Sequence, residues 1–349
     1  MFERSWMRLL ESLSDNLKSK IQNLKLVELS VIAFVLVVAG AVAQAQQPTK
    51  VPRIGYLTPA SLSANAARVE AFRQGLHELG YVEGKNIVIE HRYAEEKQDR
   101  LPALAAELVR LKVDVIVTGG TRSTHAAKEA TKTIPIVMAQ DTDPIGNGFI
   151  ASLARPGGNI TGLSNLVTEL SGKRLELLKE IVPKLFRVAV LGFSTDPGNP
   201  PALKESELAA RALGVQLQSL DVLVPKDIET AFRAASKGRA DAVLVLAGSV
   251  FNSHRTQIAA LAVKGRLPAI YINPEYVEDG GLMSYGASIT DLYRRAATYV
   301  DKILKGRTPA DLPVEQPMKF EFIINLKAAK QIGLTIPQWV LMRADKVIK

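Results

Sequence analysis

Hydroxyls and glycines gather where short apolar runs give way to helical stretches, a pattern that suits holding a small polar molecule by hydrogen bonds. Thr58-Pro59-Ala60-Ser61 follows the first such run. Backbone N–H groups left free at a helix start, with the hydroxyls of Thr58 and Ser61 beside them, suit a carboxylate or another anion. The other reading is ordinary N-capping by Ser61 or Ser63. Gly119-Gly120-Thr121-Arg122-Ser123-Thr124 has the same setting. There Gly120 lets a ligand approach the backbone, and Thr121 can donate a hydrogen bond. Asp143 closes a Pro-led strand in Asp141-Thr142-Asp143-Pro144. Its carboxylate either meets a ligand ammonium or turns back on local backbone ahead of Pro144. In the second half of the chain Ser194, Gly248, Ser249, Phe251 and Tyr271 take the matching places, and Tyr285 lies further on. Their aromatic rings either stack on an apolar ligand moiety or belong to the core.

Catalytic chemistry finds little support in the residue types. The chain has no cysteine, which excludes disulfides, thiolate metal sites, a cysteine nucleophile and an N-terminal lipidated cysteine. The histidines, His77, His91, His125 and His254, are dispersed without the paired spacing a metal needs. No Gly-Lys-Ser/Thr follows the glycines at 119 and 120, so this is not a nucleotide loop. Met283-Ser284-Tyr285-Gly286 has the tail of a nucleophile elbow, but Leu282 stands where the first glycine belongs. No catalytic residue, metal or cofactor is expected.

The elements that must position these residues occur twice. Arg53-Ile54-Gly55-Tyr56-Leu57-Thr58 opens one half and Arg187-Val188-Ala189-Val190-Leu191-Gly192 the other. Each is followed by a helical stretch ending in Leu-Gly, then by a buried strand introduced by Asp114 or Asp241, then by a strand led by Pro135 or Pro268. Apolar spacing predicts helices over Ala67–Leu79, Leu101–Leu111 and Asp291–Leu304, the last with a capping start at Ser288. In the first of these, Arg68 falls among the polar residues placed off the apolar face. Strands alternating with such helices imply parallel sheets, with ligands at the carboxyl ends of the strands. The breaker-rich segment Ala154–Gly162 reads as a crossing between halves. A strand over Val314–Phe320 and a helix over Asn325–Ile332 require two further crossings. Three crossings make a hinge that bends while each lobe stays rigid.

Composition is that of an ordinary globular chain, 47% hydrophobic and 23% charged over 349 residues. The net charge of +9 is scattered without an arginine-rich tract, which reads as a solvated surface and not a nucleic-acid interface. Leu29–Ala43 is an apolar run preceded by Lys18, Lys20 and Lys25 and followed by Ala43-Gln44-Ala45. It is shorter than the roughly 20 residues that cross a bilayer core. Residues 1–45 therefore read as a secretory signal cleaved after Ala45, leaving no permanent membrane anchor and a chain free in a periplasm.

Several long stretches resemble one family. Asp143-Pro144-Ile145-Gly146 running into Leu153–Gly162 resembles the central signature of the tryptophan-binding-like substrate-binding proteins of ABC importers. Gly280–Gly286 followed by Asp291–Ala297 is similar in the same way, as are Leu312–Pro317, Phe320-Glu321 and Ile324–Lys327. The resemblance implies a type I periplasmic binding fold: an α/β protein of two Rossmann-like lobes joined by three hinge crossings. Residues 52–162 and 286–316 would form the N-terminal lobe, 163–285 and 317–349 the C-terminal lobe. It also implies a receptor that closes on an amino acid or similar solute and delivers it to the transmembrane subunits of an ABC permease. The resemblance does not fix the ligand. An exported α/β hydrolase using the same cleft is the alternative, although no nucleophile–base pair is visible.

Overall fold

The computed structural model describes residues 51–349, apart from Pro197. The segment read as a leader lies outside the described residues. Two sheets organise the fold. Strands β1 (Arg53–Thr58), β2 (Val88–Tyr93), β3 (Val115–Gly119), β4 (Ile136–Gln140) and β5 (Ile160–Gly162) form a parallel sheet in the order β2-β1-β3-β4-β5. The second sheet contains β6 (Arg187–Gly192), β7 (Gln216–Asp221), β8 (Ala242–Val245), β9 (Ala269–Tyr271), β10 (Met283–Ala287), β11 (Phe320–Asn325) and β12 (Lys346–Ile348). Its order is β12-β11-β10-β9-β8-β6-β7.

The repeated aspartates have a structural cause. The Asp114 carboxylate accepts the Arg53 N–H at 2.8 Å, and the Asp241 carboxylate accepts the Arg187 N–H at the same distance. Each aspartate thus ties the entrance of a fully buried strand to the start of its neighbour, fixing their register. Behind them, β3 is buried at every position and so is β8, as β-branched runs in a parallel sheet require.

Helices cover both faces of each sheet. Leu62–Glu78 (α1) packs against Ile289–Leu304, which lies with the first sheet although it follows β10 in sequence. The two helices approach so closely that a Cβ at Gly75 would lie 2.2 Å from the Arg294 carbonyl oxygen. Tyr56, Phe72, Leu292 and Tyr293 fill the core they share with the sheet. The predicted helix start at Ser288 is present, but its side chain caps no backbone N–H; Ser288 Oγ instead faces Thr290 Oγ1 at 3.4 Å.

The chain passes between the sheets three times: after β5, between β10 and the helix at 289, and before β11. The first and third passages run side by side. Ser164 N donates to Glu315 O and Glu315 N to Gly162 O, each at 3.0 Å. The strand read over Val314–Phe320 is therefore one bridge, Leu163 with Glu315, and the regular strand begins only at Phe320. Pro313 and Pro317 explain the difference, since neither can donate to a ladder. A wholly parallel second sheet is also corrected, because β11 runs antiparallel to β10. Strand β10 leaves this sheet for the first one, so a strand returning from there must run the opposite way.

Arg174 joins two of these passages from inside. It is fully buried on the helix Ser171–Ile181, where Nε donates to Tyr285 O at 2.8 Å and Nη1 to Val167 O at 3.0 Å. Its remaining nitrogen, Nη2, has no hydrogen-bond partner among the described residues. Burial pushes the guanidinium down to about 9, and its hydrogen bonds are to carbonyl oxygens.

Candidate functional site

Facing ends of the two sheets enclose a cavity of about 90 Å³. From the first sheet, the ends of β1 and β3 contribute Thr58, Gly120 and Thr121, and the end of β4 contributes Gln140 and Thr142. From the second come Asp196, Gly248, Ile272 and Asn273. Asn165, on the first passage, forms part of the wall between them. Strand ends point here because both sheets turn their carboxyl edges to one another, where strands give way to helices.

The wall from the first sheet is a set of donors. Gly120 has a φ of 112°, a conformation that favours glycine, and it precedes the helix Thr121–Ala130, whose first turn has no side-chain cap. Its leading amides are thus available to an acceptor. Thr121 Oγ1 is held by Asp141 Oδ1 at 3.2 Å, and Thr118 and Thr124 pair their hydroxyls at 2.8 Å below it. Arg68 enters from α1 and is only 6% exposed. Burial works against its charge, but Glu275 with Tyr293 and Tyr56 offsets this and holds its pKa above the usual arginine value. Its Nη2 lies 3.6 Å from Glu275 Oε1, and its Nε has no hydrogen-bond partner among the described residues.

The second sheet presents amides and acids. Asn273 Nδ2 donates to Asn252 Oδ1 at 3.1 Å, which fixes two amide side chains at the cavity. Asn199 holds the wall behind them, accepting from Phe193 N at 2.9 Å and donating to Ala247 O at 2.7 Å. Among the described residues, two arginine–carboxylate pairs span the cleft: Arg68 meets Glu275, and Arg122 lies 3.7 Å from Asp196. His254 Nδ1 also lies 4.0 Å from Glu96 Oε2 across it. The arrangement can receive a small molecule bearing both acceptor and donor groups and surround it from two sides.

Of the residues singled out in the sequence, Thr58, Gly120, Thr121 and Gly248 line this cavity. Ser61, Asp143, Ser194, Phe251, Tyr271 and Tyr285 lie elsewhere. Ser61 caps α1, accepting from Ala64 N at 3.3 Å, and Asp143 closes a turn by accepting from Gly146 N at 2.8 Å. Ser194 donates to Asp221 Oδ2 at 2.7 Å, and Ser249 is the first residue of the helix Ser249–Ser253. Phe251 and Tyr271 are core residues, the latter stacked on Tyr276 with ring centroids 4.6 Å apart. Tyr285 meets Phe322 edge-on. Arg68, Gln140, Asn165 and Asn252 were not singled out. For Arg68 a signal existed: Asn65, Arg68 and Phe72 fall at helical spacing on the buried stripe of α1.

Asp141 gives the site a pH response. It is fully buried, and burial pushes its carboxyl up to about 7 against hydrogen bonds from Thr121 and Asn147 that lower it. Because the folded value exceeds the unfolded one, its contribution is intact below about pH 4. It is lost as pH rises through about 7. Thermal unfolding from pH 4.5 to 8 should show a declining stability component that Asp141→Asn removes. An unchanged slope in the variant would refute this assignment.

Known proteins share this architecture. A family profile described as "ABC transporter substrate binding protein" matches residues 53–348. A tyrosine-binding protein of Clostridioides difficile (strain R20291) is 26% identical over 265 residues, 76% of each chain. A conserved domain protein of Vibrio cholerae superposes with a TM-score of 0.81 at 30% identity, over 85% of this chain and all of the other. A Streptococcus pneumoniae ABC domain in complex with L-Trp gives 0.80 at 27% identity, over 85% of this chain and 99% of the other.

Proposed function

The chain belongs to the ABC transporter substrate binding protein family, and on that premise we propose that it is the exported solute receptor of an importer for an amino acid or close analogue. The fold is the two-lobed type I periplasmic binding arrangement, and proteins of this family bind small solutes rather than transform them. The observation that carries the ligand reading is the division of labour across the cavity. One wall offers helix-start amides and Arg68; the other offers Asn252, Asn273 and the carboxylate of Asp196. A zwitterion matches such a pair of walls, its carboxylate toward Gly120, Thr121 and Arg68 and its ammonium toward the second lobe. The named ligands of the two relatives, tyrosine and L-Trp, belong to the same chemical class.

In this reading residues 52–162 with 286–316, and 163–285 with 317–349, move as two lobes about the three passages. Closure brings Arg68 to Glu275 and Arg122 to Asp196, so the ligand and the cross-cleft pairs stabilise the same state. Residues 1–45 act as the signal that sends the chain to the periplasm, and an ABC permease takes the solute from the closed form. The hydrolase alternative has no support among the relatives, which are described by what they bind.

The test is to purify the chain, denature it and identify the released small molecules by mass spectrometry. A single zwitterionic compound, which rebinds the stripped protein unchanged, supports the reading. Release of a product formed from an added compound would move the assignment to an enzyme.

A further inference from the structure

Beside the inner cavity lies a second, larger space of about 550 Å³, bounded by Leu101, Pro102, Ala106, Ala126 and Phe149. Thr121 and Arg122 line both spaces. Of these two, Arg122 is tightly held. Arg122 Nη2 donates to Thr195 O at 2.6 Å and to Thr195 Oγ1 at 3.1 Å. The guanidinium carbon lies 4.9 Å from the centre of the Phe193 ring, and Asp196 completes the clasp at 3.7 Å. Arginine on one lobe is thus fixed by backbone, hydroxyl, ring and carboxylate from the other.

Volume decides what this arrangement admits. The inner cavity, at about 90 Å³, is smaller than the roughly 150 Å³ that accommodates one benzene ring in an engineered apolar cavity. It has no room for an amino-acid head group together with an aromatic ring while Arg122 keeps its place. The neighbouring space is large enough for such a ring, which Leu101, Pro102, Ala106, Ala126, Ala130 and Phe149 could receive, although Gln98, His125, Glu129 and Asn147 also line it.

We propose that Arg122 is the residue that sets ligand size, restricting this receptor to amino acids with short side chains by walling the inner cavity off from the apolar space beside it. This rests on the amino-acid reading of the cleft. It separates the chain from relatives whose names cite tyrosine and L-Trp. Loss of the side chain joins the two spaces, and a larger ligand can then place its ring between Leu101 and Phe149. Head-group contacts at Gly120 and Thr121 remain, while loss of the Arg122–Asp196 pair weakens closure for every ligand alike, so the ratio between ligands reports the change and the absolute affinity does not.

The experiment is calorimetric titration of solute-free protein with glycine, alanine, serine, tyrosine and tryptophan. Wild type, Arg122→Ala and the double variant Arg122→Ala/Ala106→Phe are compared, each first checked for a cooperative melt. Wild type should prefer its best short ligand over either aromatic by at least tenfold. Arg122→Ala should narrow that ratio by at least tenfold, and refilling the space with Phe at 106 should restore it. Wild type binding tyrosine or tryptophan as tightly as the short ligands overturns the proposal, whether or not the variants fold. So does an unchanged ratio in a folded Arg122→Ala. Failure of every amino acid to bind any form is a different result: it removes the amino-acid reading itself, and the proposal with it.

Discussion

Replacing Arg174 by alanine should lower the melting temperature by roughly 5–10 °C, a loss of about 3–5 kcal/mol. The side chain is fully buried and supplies hydrogen bonds to Val167 O and Tyr285 O, carbonyls on two of the passages between the sheets. Charge-assisted bonds of this kind contribute about 1.5–3 kcal/mol each, and their removal takes a donor from both carbonyls, of which Val167 O keeps the Ser171 Oγ bond at 3.1 Å. Arg174→Met keeps most of the volume and drops the buried charge, so it should recover part of the loss but not the tie between passages. A thermal melt of both variants checks the point. A fall below about 2 °C for the alanine form would mean that Arg174 is not a structural pin.

Ligand affinity should fall at least thirtyfold in Arg68→Ala and less than tenfold in Glu275→Gln, measured by titration with the solute that the wild type binds. Both residues form the cross-cleft pair, but only Arg68 lines the cavity. Breaking the pair weakens closure in either variant. Arg68→Ala also removes a nearly buried cation whose Nε has no partner among the described residues. Thirtyfold corresponds to about 2 kcal/mol, within the range for a charge-assisted hydrogen bond. Equal small losses in both variants would show that Arg68 serves closure alone.

Much of the architecture was legible because it is written in repeats. The strand openings at Arg53 and Arg187 and the paired aspartates Asp114 and Asp241 mark the two sheets, and the aspartates turn out to fix register by the same hydrogen bond. Strand ends followed by Gly or Thr led to Thr58, Gly120, Thr121 and Gly248 on the cavity wall. Aromatic strand ends misled, for a reason of period. In β9, Ile270 and Tyr271 face opposite sides of the sheet, and each enters a different core. Arg68 and Asn252 come from helices, and Asn165 from a passage between sheets, so their meeting depends on how the two sheets face each other. That distance relation has no local signature. Nor does the direction of β11, which is set by where the chain has been.

The most direct test of a solute receptor is thermal unfolding of the chain from Gln46, freed of bound solute, against amino acids, short peptides, purines and small organic acids. A ligand at about 100 times its dissociation constant adds roughly 2.7 kcal/mol, enough for a shift of several degrees. The account predicts a saturable upward shift confined to amino acids, with the compound recovered unchanged. A shift with none of these, or conversion of the compound that produces one, would contradict it.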